Sequence, residues 1–284
     1  MSELPHPRTG QVFASPVPPG AGWPGDPATA GTPVAGPDEV HELAAGWADP
    51  AQLAAASSVC RACPRLVGWR EEVAVTKRRA YAAEPYWGRP VPGFGDEDPR
   101  LLVVGLAPGA HGANRTGRLF TGDRSGEWIT GALHRAGLAS SAESIDAADG
   151  LRLLGVRMIA PVRCVPPDNA PSTEERRRCA PWLRRELGLL PGVRAMLALG
   201  AIGWAACLAA ARDAGWTVPR PAPRFGHSAL AALTRPDGVV VHLVGSYHVS
   251  QQNTSTGRLT RAMLDEAVAT AAAAAGLDGA RGAW

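Results

Sequence analysis

With 284 residues, 45% of them hydrophobic and 19% charged, the chain is long enough for one substantial domain whose core needs no staples. No apolar run approaches the roughly 20 residues of a membrane span. The N-terminus lacks a basic region followed by an apolar core, so no secretory signal is read and a cytoplasmic protein without a membrane partner is expected.

The formal charge of +3 is too small to establish a nucleic-acid partner. Of 29 basic residues only Lys77 is lysine. A GC-rich coding bias also yields abundant Ala, Gly, Pro and Arg. The clusters Lys77-Arg78-Arg79 and Arg176-Arg177-Arg178 are nonetheless candidate phosphate contacts.

Residues 1–38 are dense in Pro and Gly without an apolar period, and are expected to be disordered or loosely ordered. A helix is expected over 40–58, then the pair Cys60-Arg-Ala-Cys63, then a helix over 66–80. The composition of 84–99 is that of a loop. Strands (101–105, 156–162, 195–199, 239–244) then alternate with helices (126–136, 173–187, 202–214, 259–275). Such alternation means crossover units, an α/β fold and a mainly parallel sheet flanked by helices. The domain is expected to span 39–276, with 277–284 a frayed tail.

Three polar loops follow strand ends, at 105–125, 164–169 and 246–253, and open α/β sheets bind ligands at that edge. One shared site is therefore expected. The first loop carries glycines at 105, 109 and 112, which miss the G-x-G-x-x-G spacing, and no Gly-Lys-Ser/Thr follows. It carries His111, Asn114, Phe120 and Asp123, which suit a planar polar ligand better than a phosphate. Asp123 stands where an aspartate caps a helix; capping and catalysis are compatible if its carboxylate also faces a cavity. Asn169, between prolines, is either a turn residue or an amide matched to a nucleobase edge. His248 ends the last strand. The segment 251–258 after it has no period, and is either a solvated connection or a loop that wedges into a duplex. Phe120, one of four phenylalanines, is core or a stacking surface.

Five cysteines in a chain without a signal argue against a disulfide framework. Cys207 lies in an alanine-rich helix and reads as a small buried hydrophobe. Cys60, Cys63, Cys164 and Cys179 suffice for one metal centre. Zinc and an iron–sulfur cluster both accept four thiolates, and separate free thiols are the plain alternative. An iron–sulfur electron-transfer protein and a damage-binding module that does not cut are competing readings.

Taken together, several segments resemble the type-5 (type b) uracil-DNA glycosylases of the uracil-DNA glycosylase superfamily. They are Cys60-x-x-Cys63-Pro-Arg-Leu, Tyr86-Trp-Gly-Arg-Pro-Val-Pro-Gly-Phe-Gly-Asp96, residues 105–126, Cys164-x-Pro-Pro-x-Asn169, Cys179 and His248-Val-Ser-Gln-Gln-Asn-Thr-Ser-Thr-Gly-Arg258. The resemblance implies a three-layer α/β/α sandwich around a four-stranded, mainly parallel sheet. It implies a structural [4Fe-4S] cluster on Cys60, Cys63, Cys164 and Cys179. It implies a monomeric repair enzyme that removes uracil and other deaminated bases from DNA, with Asp123, Asn169 and His248 catalytic. The base would lie against Ala107, Pro108, Gly109, His111, Asn114 and Phe120. Ser250, Gln251, Gln252, Asn253 and Arg258 would contact DNA. The chain departs from other branches at Leu106 and Ala107, where a polar or acidic residue is usual, and has Val249 where many relatives have proline.

Overall fold

The computed structural model describes residues 3–278. Its N-terminal segment corrects the sequence expectation, because residues 3–38 are packed against the domain. Strands β1 (Leu4–Pro5) and β2 (Val12–Phe13) pair antiparallel, and Phe13, Val17 and Trp23 are buried. Trp23 Nε1 donates to the Thr116 carbonyl at 3.0 Å, Tyr86 N–H to Ser15 Oγ at 2.8 Å, and Arg89 meets Asp26 at 2.6 Å in a buried ion pair. Composition misled here because a segment docked through single anchors carries no apolar period.

The expected helix over 40–58 is two helices, α1 (Val40–Gly46) and α2 (Pro50–Ser58). Pro50 removes the N–H that would continue the first helix and pre-sets the backbone for the second. Asp49 caps that second start by accepting from Ala51 N–H at 2.9 Å. Pro64 likewise opens α3 (Pro64–Thr76), which stops at Lys77, where φ is 55°.

The sheet has six strands where four were expected. Its centre is the four expected ones, β4 (Leu101–Val104), β5 (Val156–Ile159), β6 (Ala195–Leu199) and β8 (Val240–Ser246), all parallel. Both edges are antiparallel additions: β3 (Phe94–Gly95) on β5 and β7 (Leu230–Thr234) on β8. The order is β3-β5-β4-β6-β8-β7. β3 is two residues long within a loop-like composition, and β7 is half-exposed, so neither announced itself as a buried strand. β4 reads as a continuous apolar run because it is covered on both sides.

Alternate residues of β4 serve opposite faces. Leu101 and Val103 pack with α5 (Arg124–Arg135) and α9 (Arg261–Ala275); Leu102 and Val104 pack with α6 (Thr173–Gly188) and α7 (Ala201–Asp213). This is the expected three-layer sandwich. Two short helices complete it, α4 (Ala113–Thr116) and α8 (Gln251–Ser255), the latter inside the segment read as aperiodic. Leu277, assigned to the tail, is buried in the core; 279–284 lie outside the described residues. Among the described residues no helix is long and apolar enough to cross a membrane.

Because Trp23 anchors the N-terminal segment, Trp23→Ala is expected to cost about 3–5 kcal/mol in urea unfolding. A loss below about 1 kcal/mol would show that the segment contributes little to the fold.

Candidate active site

The chain passes from β4 to β5 on one side and returns to β6 on the other. The helices after β4 and β6 cover opposite faces. A crevice opens at such a reversal, and the glycine loop 105–112 stands in it.

Asp123 is the N-cap of α5, its Oδ1 accepting from Gly126 N–H at 3.0 Å. The other oxygen lies over the glycine loop. A Cβ on Gly109 would come within 2.7 Å of Asp123 Oδ2, and one on Gly112 would strike the same carboxylate. Gly112 is thus required by close approach, whereas at Gly109 only the far carboxylate oxygen would have to move. Burial pushes the Asp123 carboxyl above its ordinary range, opposed by the N–H groups of Gly126 and Ser125 and by Arg115. Asp123 also lines a cavity of about 590 Å³ with Tyr81, Glu84, Arg115, Glu127 and Ser144. Capping and facing a cavity therefore coexist in one residue. Phe120, Asn169 and His248 do not line that cavity.

The remaining loop residues divide. Phe120, half-buried with φ 51°, lays its ring on Gly105, where a Cβ would meet the ring at 2.7 Å. His111 Nδ1 lies 3.2 Å from the Tyr86 hydroxyl, and burial lowers its pKa, reinforced by Arg78 and Arg115. Ala107 is half-buried and Pro108 buried. Asn114 is fully buried and donates to the Arg70 carbonyl at 3.2 Å. It ties the loop to α3 instead of forming part of an open pocket wall.

Asn169 follows β5, exposed in a 3₁₀ turn (Pro167–Asn169) with Asp168 and Asn169 at φ 54° and 56°. His248 follows β8 and packs on Gly200, where a Cβ would come within 3.2 Å of it. Burial lowers the His248 pKa to about 4, so its imidazole is neutral at pH 7. Its carbonyl accepts from Asn253 Nδ2 at 2.8 Å, so Asn253 braces its own loop. Val249 is fully buried. Ser250 stands at the N-cap position of α8 without a side-chain capping bond, while Gln251, Gln252 and Arg258 are exposed. The parallel strands bring Asp123, Asn169 and His248 to one edge of the sheet, on three separate loops.

Cys60, Cys63, Cys164 and Cys179 line one small cavity with Arg70 and Trp182, whereas Cys207 is buried separately in α7. Arg70 is 1% exposed. Its guanidinium donates to Cys164 Sγ at 2.9 Å and to the Cys60 carbonyl at 3.0 Å. Arg163 N–H donates to Cys179 Sγ at 3.4 Å. Burial pushes the Cys60 and Cys179 thiols up, and that of Cys63 to about 12. Among the described residues no group of three or more His, Cys, Asp or Glu is arranged to hold a metal ion. The sequence reading missed Arg70, yet a signal existed: it falls in the buried stripe Leu66, Val67, Arg70, Val73, Ala74 of α3. A cation in such a stripe demands a partner.

A family model described as the uracil DNA glycosylase superfamily matches residues 92–272. The chain is 56% identical over 275 residues to a type-5 uracil-DNA glycosylase of Mycobacterium bovis, covering 96% of this chain and 100% of the relative. It is 54% identical over 220 residues to a type-5 uracil-DNA glycosylase of Thermus thermophilus, covering 78% and 95% respectively. A type-5 relative in Pyrobaculum aerophilum is 42% identical over 217 residues, covering 76% and 89%. The chain belongs to the uracil-DNA glycosylase superfamily. Within it, the chain falls among the type-5 members.

The raised Asp123 carboxyl carries a stability signature. The fold favours its protonated form, so the penalty on the charged form is present at pH 7 and relieved as pH falls through the folded pKa. Asp123→Asn keeps a good cap and should melt at or above the temperature of the parent chain at pH 7, with the advantage vanishing in acid. Asp123→Ala loses the cap at about 1 kcal/mol. Thermal unfolding of both variants at pH 7 and pH 4 checks this; a destabilised Asn variant at pH 7 contradicts it.

Proposed function

We propose that this chain hydrolyses the N-glycosidic bond between deoxyribose and uracil in DNA, together with other deaminated bases such as hypoxanthine and xanthine. It would leave an abasic site and so begin base excision repair. The observation that carries this reading is the half-buried carboxylate of Asp123, held at a helix start against the backbone of Gly109 and Gly112.

The target base must leave the stack, at a cost of a few kcal/mol that is smallest for a mispaired or single-stranded base. The segment 250–258 would wedge into the gap, with Gln251 and Gln252 exposed in the first turn of α8. Phe120 would stack on the flipped base, and backbone groups of Ala107, Pro108 and Gly109 would read its edge. At Ala107 and Gly109 a flipped purine would meet no large side chain.

Bond cleavage puts positive charge on the sugar and negative charge on the base. Asp123 would stabilise the cation and orient the attacking water. A carboxylate held in a low-dielectric cradle acts strongly on charge that develops beside it. Asn169 would support water or base. His248, neutral at pH 7, would donate a hydrogen bond to the leaving base without placing a full charge in the ground state. The sole lysine, Lys77, donates to the Glu84 carbonyl at 2.8 Å. No other side-chain amine exists to form a Schiff base, which supports a monofunctional enzyme.

The four thiols fit a [4Fe-4S] cluster in their chemistry. They share one cavity, and two of the sulfurs already accept N–H donors, the kind of hydrogen bond by which iron–sulfur sites hold their thiolates. Bound there, a cluster would supply a cross-link between the start of α3, the β5 loop and α6, with no part in base removal.

Asp123→Ala and Asn169→Ala should each lower the single-turnover rate on uracil oligonucleotides by about 10²–10³-fold with DNA affinity nearly unchanged. Unchanged rates would remove both from the chemistry. Products should need alkali to break the strand, and cleavage without alkali would argue for a lyase. Purified chain should be brown, with about four iron and four sulfide per molecule. Cys63→Ser should lose both, and a colourless, iron-free but active chain would refute the cluster.

A further inference from the structure

The antiparallel edge strand β7 starts where β8 ends, with Leu230 opposite Val244. The connection from α7 to β7 therefore returns to the edge that carries Asp123, Asn169 and His248. Its segment 219–228 reads Pro-Arg-Pro-Ala-Pro-Arg-Phe-Gly-His-Ser, with two arginines and no acidic residue.

The second half of this segment, 223–228, is pinned. Trp204 Nε1 on α7 donates to the Pro223 carbonyl at 3.0 Å, and its ring meets Phe225 edge-on at 6.1 Å. Ser228 N–H donates to the Gly245 carbonyl at 2.8 Å. Gly245 has no room for a Cβ, because the Gly226 carbonyl lies across it. Tyr247, the neighbour of His248, donates its N–H to His227 Nδ1 at 3.2 Å. The same two rings stack, with centroids 5.0 Å apart and an interplanar angle of 25°. Arg258, at the end of the 250–258 segment, holds its guanidinium 4.8 Å from the Tyr247 ring. Tyr247 thus joins the two segments.

Most of the other clustered arginines are spent within the protein. Arg177 and Arg178 pair with Glu174, and Arg115 and Arg118 pair with Glu84 and Asp149. Arg220 and Arg224 are exposed and make no hydrogen bond, ion pair or ring contact among the described residues. Pro219 and Pro221 flank Arg220 and Pro223 precedes Arg224, each with its own φ fixed, so less backbone freedom remains to be lost on binding.

We propose that the 219–228 segment is a second DNA-binding element, in which Arg220 and Arg224 hold backbone phosphates beside the strand that the 250–258 segment enters. The inference rests on the glycosylase reading above and adds a partner surface to it. Phosphate contacts position a protein on nucleic acid without reading sequence. This element therefore sets affinity and register, and leaves base choice to the crevice.

The test measures binding to uracil-free and uracil-containing duplexes over a range of salt. Each lost phosphate contact lowers the slope of log K against log salt by about 0.9. The double variant R220A/R224A should therefore lose about two units, equally on both duplexes. Arg224→Lys should keep its share of the slope. Arg212→Ala, exposed at the opposite end of α7, should leave the slope unchanged. A double variant with the parent slope overturns the inference, as does an equal loss in Arg212→Ala. Base release by the unmodified chain is scored in the same samples. Its absence would sink the glycosylase reading, whereas an unchanged slope with release intact sinks only the second element.

Discussion

The site depends on one close approach, the Asp123 carboxylate lying on the backbone of Gly109 and Gly112. A side chain at Gly112 would strike Cβ, Cγ and the carboxylate of Asp123 together, whereas one at Gly109 would meet only the far oxygen, so loop path, helix start and acid position are coupled chiefly through Gly112. The glycine loop is therefore no phosphate cradle. It is the floor on which an acid is held, and its missing side chains are what let the acid sit low. The same loop is pinned from behind by Asn114, whose amide reaches the Arg70 carbonyl, and Arg70 in turn reaches Cys164 and Cys60. A short chain of contacts thus runs from the cysteine cavity to the crevice. The cysteine cavity and the crevice are therefore joined through Arg70.

Arginine usage takes on a different meaning in the folded chain. Composition left a coding bias and phosphate contacts as explanations. A third use dominates the interior, since Arg70, Arg89, Arg115, Arg118, Arg157 and Arg163 are buried. Arg157 and Arg163 converge on the buried Glu186. Burial alone would raise that carboxyl, but the two cations outweigh it and hold it below the ordinary range. A planar guanidinium can satisfy several acceptors at once, and Arg118 does so with Thr121, Ser144 and Asp149. Lysine would satisfy fewer. Arginine thereby stitches loops that the sheet alone leaves free.

Much of the fold was legible because buried parallel strands must read as apolar runs and their crossover helices as amphipathic ones. The four central strands and the shared edge followed from that. What escaped was held by features without a period. The N-terminal segment docks through Phe13, Val17 and Trp23, one anchor at a time. The break between α1 and α2 was written in Asp49-Pro50, a cap and a proline that a helical average smooths over. Within the site, Asp123 and His248 could be named from their positions after strand ends. Their burial could not, because it depends on Gly109, Gly112 and Gly200 approaching from elsewhere in the chain. Asn114 shows the converse: a polar residue in the right loop, turned inward to brace it.

The antiparallel strand β7 links this reading of the fold to recognition of the substrate. A purely parallel sheet ending at β8 would carry the chain away from the site after each strand. By running opposite to β8, β7 brings one more connection to the ligand edge, and the Tyr247–His227 stack locks it beside the histidine loop. The edge then carries two kinds of surface. In the proposed reaction, the partial burial of Asp123 and His248 would exclude water and strengthen the field on the reacting bond. The exposed Arg220 and Arg224 would stay solvated until phosphates replaced the water. A glycosylase needs both, because the energy that holds the backbone offsets the cost of pulling a base out of its stack. Both surfaces stand at the same edge of one sheet, with the Arg220–Arg224 segment beside the His248 loop.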